Sequence, residues 1–424
     1  MADSLIALIE GQVVAEIGRV GSGHWSMTYA KSWLAAPTAY PLSLSMPLGA
    51  AKYPQTKIET WLWGLLPDNE LILSRWGTRF HVSPRNPFAL LGHVGEDCPG
   101  AIQLIPSERI EAVLARRGTV DWLSEADMAR RLRALKEDPS AWRSSGDTGQ
   151  FSLAGAQPKT ALLYRDGRWG VPSGRIPTTH ILKPPSDAFA GFAENEHVCL
   201  RLASALGLPA AESKVMRFEN ETAIVVARYD RLVRGRTIHH VHQEDLCQAL
   251  GCPPTSKYQN QGGPSAGDIV DFLRANSANP TEDIWTFVRA LGFNWLIGGT
   301  DAHAKNYSIL IGPNAYARLA PLYDVATALP YDFDKKKFKL AMSIGKEYLL
   351  YGIGWRAWAK FCEQVRLPKD EVRSLLVNLT IALPEHLPSI IADCVKAGID
   401  RKVLKDISGA LTQRAALCAT ELAR

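Results

Sequence analysis

TEDIWTFVRALGFNWLIGGTDAHAKNYSILIGPNAYARLAPLYD, residues 281 to 324, sets a short polar loop between an apolar helix and a hairpin. Thr281 is placed to cap a helix with Glu282 and Asp283 in its first turn, and Ile284, Phe287, Val288, Leu291 and Trp295 then share one apolar face. Gly298 and Gly299 stop that helix, so Asp301 and Asn306 fall on the loop that follows, where a rigid scaffold presents reactive groups. Tyr307 to Ile311 reads as a strand, Gly312-Pro313-Asn314 as a turn, and Tyr316 to Leu322 as the strand returning Asp324 close to Asn306.

An Asp, an Asn five residues later, and a second Asp after a hairpin follow the order of protein kinases, where the first takes the hydroxyl proton and the other two bind Mg²⁺. Phosphoryl transfer needs such a set, because charge on the γ-phosphate oxygens must be offset while the hydroxyl is held in line, and hard Mg²⁺ takes oxygen ligands. The spacing alone fits equally well a turn-capping Asp301 with solvated Asn306 and Asp324. Upstream, HILKPP puts Lys183 at the end of an apolar strand, from which a kinase lysine reaches phosphates, and Glu196 on the next helix could pair with it. FSLAGAQPKTALLY joins two strands through small residues, with Ser152, Gly155 and Lys159 able to offer donors to phosphate, although it lacks a G-x-G-x-x-G fingerprint.

Working outward, the 424 residues are 46% hydrophobic and 21% charged with a net charge of +5, enough for more than one core and far from a nucleic-acid arm. The start lacks a basic leader, no later apolar run is long enough to span a bilayer, and the chain reads as cytoplasmic. Seven scattered cysteines fit reduced, buried thiols. The first hundred residues read as mostly strands: Ile6 to Ile9 and Val13 to Ile17 flank Glu10-Gly11-Gln12, and PLSLSMPL from Pro41 alternates. Residues 121 to 136 read as a helix and EDPSAWRSSGDTGQ as a linker. The expected class is α+β: residues 1–105 a β-rich domain, 106–150 a helical segment and linker, 151–242 a strand-rich lobe holding one helix, and 243–424 a helical lobe.

Together FSLAGAQPKTALL, TTHILKPP, ENEHVCLRLASALGL, ARYDR, QEDLCQALG, FNWLIGGTDAHAKN and LAPLYDVATALP resemble the HipA family of toxin kinases, in that family's order, and PLSLSMPL, GLLPDN and NPFALLGHVGEDCPGAIQLIP extend the resemblance through the first domain. It implies a two-lobed protein-kinase-like fold and an ATP- and Mg²⁺-dependent serine/threonine kinase. Asp301 would be the catalytic Asp, Asn306 and Asp324 the Mg²⁺ ligands, and Lys183 a phosphate contact. The loop Ser152, Ala154, Gly155, Ala156, Gln157 and Lys159 would cover the nucleotide, Tyr229 would sit at the adenine hinge, and Gln243, His303 and Tyr323 would line the pocket. Ser152 matches an autophosphorylated serine whose phosphate would expel the loop and switch the kinase off. Two positions depart from the pattern: Ala227 replaces an acid, and Pro158 removes one amide donor from the loop.

The resemblance further implies a HipB-like helix-turn-helix antitoxin, operator DNA reached through it, a protein substrate such as an aminoacyl-tRNA synthetase whose loss would slow translation and growth, and no membrane partner. An alternative is an ATP-binding scaffold without turnover that acts as a corepressor; it predicts nucleotide binding without transfer. A Ser152 hydrolase fails for want of a G-x-S-x-G elbow and a placed His–acid pair. The run Ile238-His239-His240-Val241-His242 lacks metal-ligand spacing, Cys247 and Cys252 read as structural, Lys335-Lys336-Lys337 reads as a solvated loop, and GIGWRAWAKF as helix packing.

Overall fold

Glu10 and Gly11 both take positive φ, 49° and 77°, as a two-residue hairpin turn requires, and join the strands Ser4–Ile9 and Gln12–Val20. Ser4–Ile9 pairs on its other side with Ile102–Pro106, and His24–Tyr29 completes a four-stranded antiparallel sheet. The computed structural model describes residues 4–20, 24–50, 52–116, 118–141, 152–155, 157–185, 190–235, 237–331 and 334–423, so Ala156 and most of the expected linker lie outside it. One compact unit comprises Met1–Pro184, Met216–Thr255 and Ile309–Tyr316; a second comprises Pro185–Val215, Ser256–Ser308 and Ala317–Arg424.

Helices Gln55–Gly64, Glu70–Phe80 and Pro87–Val94 cover the first sheet, where the sequence suggested mostly strands. The last two are marked by caps: Asn69 accepts from the amides of Leu71 and Ile72, and Asn86, followed by Pro87, accepts from Ala89. Ile58, Trp61, Leu62, Trp76, Phe88 and Leu91 close on Leu5 and Ile17. PLSLSMPL is not a strand. It forms a single bridge between Ser43 and Met46, with the Ser43 and Ser45 hydroxyls bonded to each other at 2.7 Å.

In the same unit Thr160–Arg165, Arg168–Pro172, His180–Lys183 and Glu221–Ala227 belong to a six-stranded sheet. The helix expected at 121 to 136 spans Glu125–Glu137, capped by a reciprocal Ser124–Asp127 box. The residues before it, Val120–Leu123, pair instead as an edge strand with Arg168–Pro172, as β-branched and aromatic residues favour. Met128, Leu132, Leu162, Trp169, Leu182 and Val225 form the core between helix and sheet.

The second unit is helical. Helix Pro280–Ile297 is capped by Asn279, with Pro280 at the first position, so the cap lies two residues before Thr281 because proline favours the first helical position. It ends at Gly298 (φ 64°), with the Gly299 amide bonded to the Asn294 carbonyl at 2.8 Å. Phe287, Phe293 and Trp295 are buried, and Trp295 meets Trp358 of helix Trp355–Val365 edge-on at 5.8 Å. Helix Lys369–Lys396 is, by length and composition, apolar enough to cross a membrane, where the sequence suggested no such run because Asn378, Pro384-Glu385-His386 and Pro388-Ser389 interrupt the apolar residues. Val372, Leu376, Leu383, Leu387 and Ile390 place one face of that helix in the core of this unit. All seven cysteines are free thiols, six of them buried.

Candidate active site

Three clusters gather the residues singled out above. In the first unit, the loop after Phe151 is drawn in on itself. Ser152 has no exposed surface: its amide donates to the Asp97 carbonyl at 3.0 Å and its hydroxyl to the Leu65 carbonyl at 2.6 Å. The Gly155 carbonyl accepts from the Asp68 amide at 3.3 Å, and the Lys159 ammonium donates to the Ala154 carbonyl at 2.7 Å. Gly155 takes φ +101°, a backbone conformation that is strained for any residue with a Cβ, so the bend favours glycine. Gln157 is half-buried beside it. Lys183 ends its strand opposite Ile224 and is only 5% exposed.

The second cluster is built on ARYDR. Arg228 grips Asp230 with two hydrogen bonds, at 3.0 and 2.8 Å, and Arg231 bonds Asp97 at 2.5 Å and the Gly100 carbonyl at 2.7 Å. Asp97 also accepts from the amide and hydroxyl of Thr178. Between the two arginines stands Tyr229, whose hydroxyl donates to the Gln243 side-chain oxygen at 2.5 Å, so two residues assigned to nucleotide binding do meet. This network also carries the Asp97 carbonyl that receives the Ser152 amide.

Burial alone would raise the Asp97 carboxyl, but Arg231 and Arg228 hold it well below the usual carboxylate range; for Asp230 the same contest leaves it at about 2. Unfolded carboxyls titrate near ~4. Their folded values are lower, so the unfolded chain binds these protons more readily, and the stabilisation is present above about pH 4 and lost as pH falls towards 2. The urea midpoint should therefore hold from neutrality to about pH 5 and fall below about pH 4, less steeply in Asp230→Asn, which lacks this titration. His242, nearby in sequence, is buried and pushed down to about 4 by burial, with its Nε2 3.0 Å from the Leu42 carbonyl. Among the described residues no cluster of His, Cys, Asp or Glu could hold a metal by itself.

The third cluster lies in the second unit. The Asp301 carbonyl accepts from the His303 amide and the Asn306 side-chain amide, both at 2.8 Å, which folds residues 301 to 306 into a tight loop. Tyr323 donates to the Lys305 carbonyl at 2.7 Å and meets the Ser308 hydroxyl at 2.7 Å, tying the segment before Asp324 to this loop. Asp324 itself is left-handed, φ 57°, a conformation that costs a non-glycine residue about 1 kcal/mol or more. The hairpin between them turns through Asn314 and Ala315, at φ 57° and 55°, one residue later than the sequence suggested. His303 is buried, whereas the Asp301 side chain is 69% exposed and accepts from the Tyr258 hydroxyl at 2.5 Å. Asn306 commits its NH₂ to the loop; its carbonyl oxygen and the Asp324 carboxylate are hard oxygen donors by chemistry. That set suits Mg²⁺, which takes its remaining ligands from water and phosphate.

The HipA-like C-terminal domain matches residues 151–387, more than half of the chain, and the HipA N-terminal domain matches residues 5–105. The chain belongs to the HipA family. Y4mE of Sinorhizobium fredii, a protein named only provisionally as a kinase, is 35% identical over 413 residues and 96% of each chain. The serine/threonine-protein kinase toxin HipA of Shewanella oneidensis is 28% identical over 386 residues, 87% of this chain and 84% of that one. A solved complex of Shewanella oneidensis HipA, HipB and operator DNA contains a chain that matches with a TM-score of 0.84 at 26% identity, over 99% of this chain and 97% of that one. The α+β, two-lobed kinase-like fold is thus the HipA fold.

Within this HipA-family chain, Ser152, Ala154, Gly155 and Lys159 come together, as do Tyr229 with Gln243, and Asp301 with His303 and Asn306. Lys183 and Glu196 are each buried but belong to different units. Sequence reasoning missed Tyr258, because SKYQNQGGP carries no motif. It also missed the Asp97 network, whose signal was two arginines and an aspartate in ARYDR needing a further acid nearby.

Proposed function

We propose that this protein is the kinase toxin of a toxin–antitoxin pair, transferring the ATP γ-phosphate to a serine or threonine hydroxyl of a bacterial protein. The observation that carries this is the loop that fixes Asp301 and Asn306, tied through Tyr323 to the segment bearing Asp324, in a chain of the HipA family. Asp301 accepts the hydroxyl proton as the oxygen attacks phosphorus and ADP departs. Asn306 and Asp324 would hold Mg²⁺, which when bound offsets phosphate charge. Lys183 and the loop Ser152 to Lys159 would contact phosphates and Tyr229 with Gln243 the base; His303 and Tyr323 are further candidates for nucleotide contact. The Shewanella HipA complex with HipB and operator DNA supports a HipB-like helix-turn-helix antitoxin here, with DNA reached through it. Inactivation of an aminoacyl-tRNA synthetase would halt translation, which makes that class the first acceptor to try.

Ser152 serves as the inhibitory autophosphorylation site. Its hydroxyl lies against the Leu65 carbonyl with no exposed surface, and a phosphate dianion could not stay there. Ser152→Ala should therefore remain active during prolonged incubation with ATP, while the wild type declines; phosphopeptide mapping that finds phosphate only elsewhere discards this mechanism. The primary test is incubation with ATP and Mg²⁺ beside Asp301→Ala, with intact-mass analysis of the chain and of added synthetases. Phosphate that is absent in the variant supports the kinase; ATP binding without any transfer favours a silent corepressor scaffold.

A further inference from the structure

Asp301 has an orientation problem. Its backbone carbonyl is held twice, but those bonds fix the loop and leave the carboxylate free to rotate in a largely exposed position. A base free to rotate loses alignment with its hydroxyl, and misalignment is costly in rate. Among the described residues, the one hydrogen-bond donor to that carboxylate is Tyr258, at 2.5 Å from Oδ1, with His303 Nε2 3.9 Å from the same oxygen. The other oxygen, Oδ2, keeps its lone pairs.

Tyr258 is itself well held. Its carbonyl accepts from the amides of Gln261 and Gly263, at 2.9 and 3.0 Å, and a Cβ on Gly263 would lie 2.1 Å from the Ser256 carbonyl, so the turn closes only on glycine. The next residue, Gln259, exchanges hydrogen bonds with Ser343, accepting from its amide at 2.8 Å and donating to its hydroxyl at 3.1 Å. The Tyr258 ring meets His303 edge-on at 5.0 Å, and the Lys257 ammonium lies 5.6 Å from its centre. A phenol on so fixed a turn can impose direction on a mobile carboxylate.

Resting on the kinase function proposed above, we propose that Tyr258 is a positioning residue: by donating to Oδ1 it turns Oδ2 of Asp301 towards the incoming acceptor hydroxyl. It neither touches ATP nor gives up its own proton. Tyr258→Phe keeps the ring and its contact with His303 and deletes only the hydroxyl. Single-turnover transfer at saturating ATP should fall roughly tenfold, the effect of one hydrogen bond to a charged group, while KM for ATP and the unfolding midpoint stay unchanged.

An unchanged or faster rate would overturn the proposal, the latter by showing that the phenol occupies the acceptor's place. A slower rate accompanied by a higher KM for ATP or a lower unfolding midpoint would also overturn it, by exposing a merely structural role. Asp301→Ala separates the two levels of the argument. Absence of transfer by the wild type removes the kinase function itself and transfer by Asp301→Ala removes the base, whereas an inactive Asp301→Ala beside a fully active Tyr258→Phe removes only the role of Tyr258.

Discussion

Asp301→Ala should leave the protein folded and lower phosphate transfer by roughly 10²–10⁴-fold, the usual contribution of a positioned general base. The stability cost is small because the deleted carboxylate is 69% exposed and gives up a single hydrogen bond, from Tyr258. Folding of the loop depends instead on the Asp301 carbonyl, which the substitution preserves. ATP affinity should be nearly unaltered, since the base acts on the acceptor. Nucleotide titration, thermal unfolding and transfer kinetics on the same preparation separate these effects. Loss of transfer with normal binding and folding is expected, and retained transfer would remove Asp301 from its role.

The largest expected effect on stability is at Arg231. Arg231→Met removes the guanidinium that faces Asp97 at 2.5 Å and bonds the Gly100 carbonyl, leaving a mostly buried carboxylate short of its counter-charge. Breaking one side of a buried ion pair typically costs about 3–5 kcal/mol. The urea midpoint should drop accordingly. Adding Asp97→Asn should restore part of the loss, because the stranded charge is gone and the double variant is less damaged than the sum of the singles. Nucleotide binding should weaken in parallel, since Tyr229 lies within this network and the Asp97 carbonyl holds Ser152. Strict additivity of the two substitutions would show that the pair does not act as one unit.

The second unit was largely legible because its signals are local. Apolar spacing from Ile284 to Trp295 located the buried helix, Gly298 and Gly299 its end, and the polar run after them the loop. The cap alone was misplaced, since Thr281 is a good capping residue and only Pro280 reveals that Asn279 takes the role. Residues 55 to 64 and 87 to 94 resisted for the opposite reason: their helices are short and buried on more than one side, so no period of 3.6 stands out. The Asp97–Arg231 pair was invisible because its partners are 134 residues apart, and a charge pair announces itself only when the fold brings both ends together. Tyr258 was hidden likewise, as one aromatic residue in a loop of polar and small ones.

The buried hydroxyl of Ser152 has a consequence for timing. Two hydrogen bonds of Ser152, to the Asp97 and Leu65 carbonyls, hold the closed form, and at about 1 kcal/mol each the open form is a minority of about one molecule in 30. If silencing proceeds through Ser152 and each molecule phosphorylates itself, each waits for its own loop to open, so inactivation follows a first-order clock slowed by that equilibrium and indifferent to how many copies the cell holds. A cell that makes a burst of this protein would then experience a pulse of activity whose length is written into two backbone carbonyls.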